Sequence, residues 1–114
     1  MTSSAPDSPR LQLPDRYEVF NRNRTIGVST APGGAVTGLF LHENVRKGNE
    51  RNLVREILAV AGVASMRGRL GVRERMEANA AANGTTVPPS AYEVLPDAPT
   101  AEQYEQYKRE TLKY

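Results

Sequence analysis

The stretch NERNLVREILAVAGVASMRGRLGVRERM, Asn49 to Met76, decides how this chain folds. Leu53, Ile57, Val60 and Ala64 recur at i, i+4, i+7 and i+11, the spacing of one face of an α-helix. Val54, Leu58, Ala61 and Val63 lie beside them, so the apolar stripe is wider than a surface helix normally carries. Burying the large aliphatics at roughly 1.5–3 kcal/mol each comes to on the order of 10 kcal/mol, comparable with the whole stability of a small domain. Such a helix requires cover on more than one side, and what supplies the second cover is the functional question.

Charge along this stretch is uneven. From Arg46 to Arg75 there are eight basic residues (Arg46, Lys47, Arg51, Arg55, Arg67, Arg69, Arg73, Arg75) against Glu50, Glu56 and Glu74, although the whole chain carries a net charge of only +2. The helix is basic towards its ends and apolar in its middle. Gly48-Asn49 supplies a break and an N-cap, and Gly84 a C-terminal stop. Gly62, Gly68 and Gly71 each cost about 1 kcal/mol against Ala, so the helix is expected to bend or fray after Ala64, or to run on through the Ala-rich segment to Asn83.

Upstream, Arg16 to Phe20, Thr25 to Thr30 and Ala35 to Leu41 read as three short strands. Asn21-Arg22-Asn23-Arg24 and Ala31-Pro32-Gly33-Gly34 separate them as turns. Neither connection is long enough for a crossover helix, so the strands form an antiparallel meander. Downstream, four prolines between Gly84 and Pro99 predict an extended linker lying over the domain through Tyr92, Val94 and Leu95. Thr100-Ala101-Glu102-Gln103 fits a capping box that starts a last helix. Tyr104, Tyr107, Thr111 and Tyr114 then predict one amphipathic face, with Leu112 beside it, which either docks on its own domain or binds a partner.

The expected fold class is α+β: a three-stranded antiparallel meander packed with one long helix, plus a short C-terminal helix. The expected organisation is a disordered arm at 1–15, a sheet-and-helix domain at 16–83, a Pro-rich linker at 84–99 and a C-terminal helix at 100–114. With 114 residues there is room for one core.

Composition narrows the chemistry. Cysteine is absent, which removes thiol nucleophiles, zinc knuckles and disulfides. His42 stands alone beside Glu43, with no nucleophile at a defined spacing and no second histidine for a ligand set. Gly33-Gly34 lies between strands, where a phosphate loop would precede a helix. No catalytic residue, metal ligand or cofactor site is expected, and the chain reads as non-enzymatic. No apolar run reaches a membrane span, and MTSSAPDSPR lacks the pattern of a signal peptide, so a cytoplasmic protein is expected.

The order of motifs carries a resemblance. Tyr17-Glu18-Val19-Phe20-Asn21, Ile26-Gly27-Val28-Ser29-Thr30, Gly34-Ala35-Val36 leading to Leu41, and Leu53 to Ala61 together resemble accessory proteins of type VII (ESX) secretion loci of the EspD and EspH kind. Leu95-Pro96 followed by Pro99-Thr100-Ala101-Glu102 looks like their lead into a last helix. The resemblance implies a helper that binds and stabilises a secreted substrate before export, and a fold like that of the YbaB/EbfC nucleoid-associated proteins. The tail lacks the Tyr-x-x-x-Asp/Glu export signal, since Lys108 and Thr111 stand four after Tyr104 and Tyr107. A helper that remains inside is expected, not cargo.

Two surfaces follow as candidates. A homodimer with a protein client would use Leu53, Ile57, Leu58, Ala61 and Gly62 of the long helix with Tyr104 and Tyr107 of the tail. The alternative is a YbaB-like DNA binder using Arg46, Lys47, Arg51, Arg67, Arg69, Arg73 and Arg75 on phosphates.

Overall fold

The computed structural model describes residues 13–47, 49–94 and 98–113, and the side chains of Arg46 and Lys47 are outside that description. Most of the expected arm, together with Leu95 and Tyr114, therefore lies outside the described residues. The protein is α+β. Strands β1 (Tyr17–Phe20), β2 (Ile26–Thr30) and β3 (Val36–Leu41) form an antiparallel sheet in the order β1-β2-β3. A 3₁₀ turn at Glu43–Lys47 leads to helix α1 (Glu50–Ala82), followed by the short α2 (Pro89–Tyr92) and by α3 (Ala101–Leu112).

Local chemistry explains the turns. Asn21 is buried at the end of β1, where its side-chain oxygen accepts the N–H groups of Thr25 and Ile26 at 2.8 and 3.1 Å. Its amide nitrogen donates to Thr25 Oγ1 and to the Glu56 carboxylate of α1. A turn that looks merely polar in the sequence is thereby tied to the helix. In the β2–β3 turn, Gly33 and Gly34 both adopt φ +99°, a conformation that residues with a Cβ rarely take.

Helix α1 starts at the expected place, with the Asn49 side chain accepting from the N–H groups of Arg51 and Asn52. It ends in a Schellman arrangement: Gly84, at φ +72°, donates to Ala81 and Thr85 donates to Ala80. Between these caps it runs 33 residues, so of the two expected courses it takes the one that continues through the Ala-rich segment to Asn83. The glycines are the reason the sheet can dock. A Cβ at residue 68 would overlap the Ala31 carbonyl oxygen and stand 2.8 Å from Gly34 Cα, and Gly33 N–H donates to the Gly68 carbonyl at 2.8 Å. At residue 71 a Cβ would run into the Tyr17 ring. Contact with the sheet thus offsets their poor helix propensity.

Val19, Ile26 and Val28 from the sheet meet Val60, Val63, Ala64 and Leu70 of α1, and Tyr104 and Leu112 of α3 complete the cluster. Thr30, fully buried, donates its hydroxyl to the Ala64 carbonyl at 2.9 Å, so its polar atom is satisfied inside the core.

The capping box is present, with Gln103 N–H on Thr100 Oγ1 at 3.1 Å and Thr100 N–H on Gln103 Oε1 at 2.9 Å. The face that α3 presents to α1 differs from the expected one. Tyr104 and Leu112 are buried and Lys108 and Thr111 half-buried, whereas Tyr107 is 39 % exposed. The inward spacing is i, i+4, i+7, i+8, which buries the aliphatic Leu112 and leaves Tyr107 at the margin of the contact. The linker also departs from a wholly extended path. Pro89–Tyr92 forms a helical turn, and Tyr92 donates to the Glu77 carboxylate at 2.7 Å while the Arg73 guanidinium covers its ring at 4.1 Å. Val94, expected to lie on the domain, is 75 % exposed.

Candidate functional site

The wide stripe read from the sequence divides three ways around α1. Leu53, Ile57, Val60 and Ala64 face the sheet, and Val63 is sealed inside the cluster that α3 completes. The third row, Val54, Leu58, Ala61 and Ser65 at i, i+4, i+7 and i+11, runs along the flank next to β3. The β2–β3 turn establishes that side, because a Cβ at Gly34 would lie 2.7 Å from the Ser65 carbonyl oxygen. Along this row Val54 is 54 % and Leu58 66 % exposed, and Ala61 is half-buried.

Strand β3 continues the same surface. Leu39 pairs with Val28 and Leu41 with Ile26, both buried under α1, so strand alternation puts Leu39 and Leu41 on the helix side of the sheet. Helix α1 rests on β1 and β2 and barely reaches β3, which leaves Leu39 54 % and Val36 59 % exposed. On the opposite side Phe40, 49 % exposed, meets Phe20 edge-on across Gly27, with ring centroids 6.0 Å apart. Val36, Leu39, Phe40 and Val54 were missed as candidates. The readable signal was Leu39-Phe40-Leu41, three consecutive large apolar residues that no single buried face can accommodate.

The expected partner residues do not form one surface. Leu58 and Ala61 lie on the open flank. Leu53 and Ile57 are half-buried against the core. Gly62 lies on the other flank beneath the tail, where a Cβ would be 3.3 Å from the Tyr107 hydroxyl. Tyr104 belongs to the core of its own chain at 5 % exposure, which corrects its assignment to a partner. Tyr107 covers Gly62 and is in part exposed.

The basic residues are scattered around the axis and largely engaged at home. Arg67 pairs with Glu74 at 2.9 Å and stacks over the Tyr17 ring at 4.3 Å. Arg73 pairs with Glu77 at 3.6 Å, and Arg75 reaches Asp15 and the Pro14 carbonyl. Arg51 is exposed on the first turn of α1, while Arg69 is half-buried beside Gly34. These positions do not make one phosphate-tracking row among the described side chains; Arg46 and Lys47 lie outside them.

His42 is exposed, and its Nδ1 accepts from Asn44 N–H at 3.1 Å. Among the described residues no group of three or more His, Cys, Asp or Glu is placed to hold a metal ion. No described helix is long and apolar enough to cross a membrane.

Fold and surface together define a small α+β chain with exposed apolar residues on its sheet edge, Val36 and Leu39, and on one flank of its long helix, Val54 and Leu58. No family model, curated protein or solved structure matches the chain.

Proposed function

We propose that this protein is a non-enzymatic, chaperone-like helper of type VII secretion that covers an apolar helix of a secreted substrate before export. The observation that carries this reading is the row Val54, Leu58 and Ala61 beside the exposed Leu39 and Val36. Large apolar side chains grouped on one face, with polar residues around them, mark a protein-binding surface. A partner helix with an i, i+3, i+4, i+7 apolar face fits a flank of this kind. The secretion context rests on the motif resemblance, and the mode of binding on the open flank.

The test titrates purified full chain with helical substrates encoded in a type VII locus and follows binding by calorimetry. Leu58→Glu is expected to weaken binding at least about tenfold, the equivalent of 1.4 kcal/mol, and to leave the thermal melt nearly unchanged because Leu58 is 66 % exposed. Equal affinity of Leu58→Glu and wild type refutes the reading. Binding to random duplex DNA that survives physiological salt would redirect it to nucleic acid.

A further inference from the structure

The guanidinium groups of α1 fall into two sets. Arg67 meets Glu74, Arg73 meets Glu77 and Arg75 meets Asp15, so each of these has a carboxylate of its own chain within reach. Arg51, Arg55 and Arg69 meet no carboxylate among the described residues. Of the acids on α1, Glu56 is bonded to Asn21, and Glu74 and Glu77 belong to the first set. Glu50, in the first turn, is outnumbered by Arg51 and Arg55 beside it. The unmatched charge of the helix is therefore positive.

That charge brackets the open row of Val54, Leu58 and Ala61. Arg51 and Arg69 stand at i and i+18, five whole turns apart and about 27 Å along the axis. Leu58 and Ser65 lie between them at i+7 and i+14, on the same side of the helix. Arg55 stands one turn on from Arg51. An open hollow marks each end of the row: Arg51, Val54 and Arg55 line one, and Met66, Arg69 and Gln103 line the other. Resting on the protein-binding reading above, we propose that this flank selects acidic amphipathic helices. The client helix carries an apolar residue that meets Leu58, one carboxylate seven residues away for Arg51 and Arg55, and another eleven residues away in the opposite direction for Arg69. Seven and eleven residues are both close to whole turns, so the three groups share one face of the client helix.

Arg69 favours a helix over a flat anionic surface as the occupant. Its side chain is half-buried, with Cγ close against Gly34 of the β2–β3 turn. Its Nε is shut off from water and has no hydrogen-bond partner among the described residues. Buried donors are normally paired, and a planar guanidinium takes a carboxylate through two parallel N–H bonds. A glutamate side chain reaching down from a helix enters such a recess, whereas the plane of a bilayer passes over it. Exposed ion pairs add little strength singly. Their effect here is discrimination, because lysine at the same client positions sets like charges against each other.

The probe is an amphipathic peptide of about 25 residues, long enough to span the row at 1.5 Å per residue. It has a leucine on its apolar face and glutamate seven residues before and eleven residues after it, and is compared with forms in which both glutamates are Gln or Lys. Binding to the full chain is followed by fluorescence anisotropy at about 20 mM and about 0.5 M salt, since screening separates charge from apolar contact. The Glu form is expected to bind roughly fivefold more tightly than the Gln form at low salt, with the Lys form weakest and the gap closing at high salt. Arg69→Gln, and separately the exposed pair Arg51→Gln with Arg55→Gln, should each remove part of that gap. A Glu form that binds no more tightly than the Gln form, or a gap that persists undiminished in both arginine variants, overturns the proposal. If Leu58→Glu still weakens the Gln form in that case, charge selection fails alone and the helper reading stands. If Leu58→Glu binds every form as wild type does, the helper reading falls with it. Binding to phosphatidylglycerol vesicles without binding to the Glu peptide overturns the proposal in favour of a membrane surface.

Discussion

Gly68→Ala should destabilise this protein, although the same change in an exposed helix would stabilise it. Helix propensity favours Ala by about 1 kcal/mol. Against this, the new methyl group meets backbone on every near side: the Ala31 carbonyl oxygen, and the Gly34 N and Cα, both at 2.8 Å. Backbone cannot rotate away as a side chain does, so the β2–β3 turn must lift off α1, an overpacking cost of about 1–3 kcal/mol. Lifting the turn also loses the Gly33 N–H to Gly68 carbonyl bond, worth roughly 0.5–1.5 kcal/mol. The net loss is about 1–3 kcal/mol. For a domain near this size each kcal/mol moves the melting temperature by about 4 °C or more, so the drop should be roughly 5–15 °C by circular dichroism. Gly62→Ala is the matched control, since its Cβ would meet only the Tyr107 hydroxyl at 3.3 Å, the far end of a flexible side chain. It should melt at or slightly above wild type. A Gly68→Ala protein more stable than wild type would refute the claim that this glycine is where the sheet approaches the helix.

Tyr104→Ala should cost about 3–5 kcal/mol, because the ring is 5 % exposed inside the core. Tyr107→Ala should cost under about 1.5 kcal/mol, and equal melting shifts for the two variants would contradict the packing of α3. The Tyr92 phenol is held above its ordinary value near 10, first by the hydrogen bond it donates to Glu77 and then by desolvation. The neutral form is the bonded one, so the contact is complete below that ordinary value and is lost as pH rises through the raised one. Glu77→Gln should bring the Tyr92 titration back down, read as tyrosinate absorbance against a Tyr92→Phe reference; an unmoved titration would show that α2 is not anchored there.

What the sequence by itself determined was local. Asn49 caps, the Thr100 and Gln103 reciprocal bonds, the Gly33-Gly34 turn and the 3.6-residue period of α1 each depend on residues within a turn or two of one another. The strands were legible for the same reason, and with them the α+β class. What only the tertiary structure decided concerns which neighbour meets which face. The glycines of α1 read as a weakness in the helix until the β2–β3 turn is seen docked on Gly68, 34 to 37 residues away in sequence. Tyr104 and Leu112 take the inner face of α3, and Tyr107 stands at its margin with its hydroxyl over Gly62. Leu58 and Leu39 are ordinary core-forming types; Leu39 is exposed because α1 rests on β1 and β2 and leaves β3 uncovered, and Leu58 because the sheet and α3 each take another side of α1. Periodicity states how much apolar surface a helix carries. The packing of the other elements determines which part of it remains uncovered.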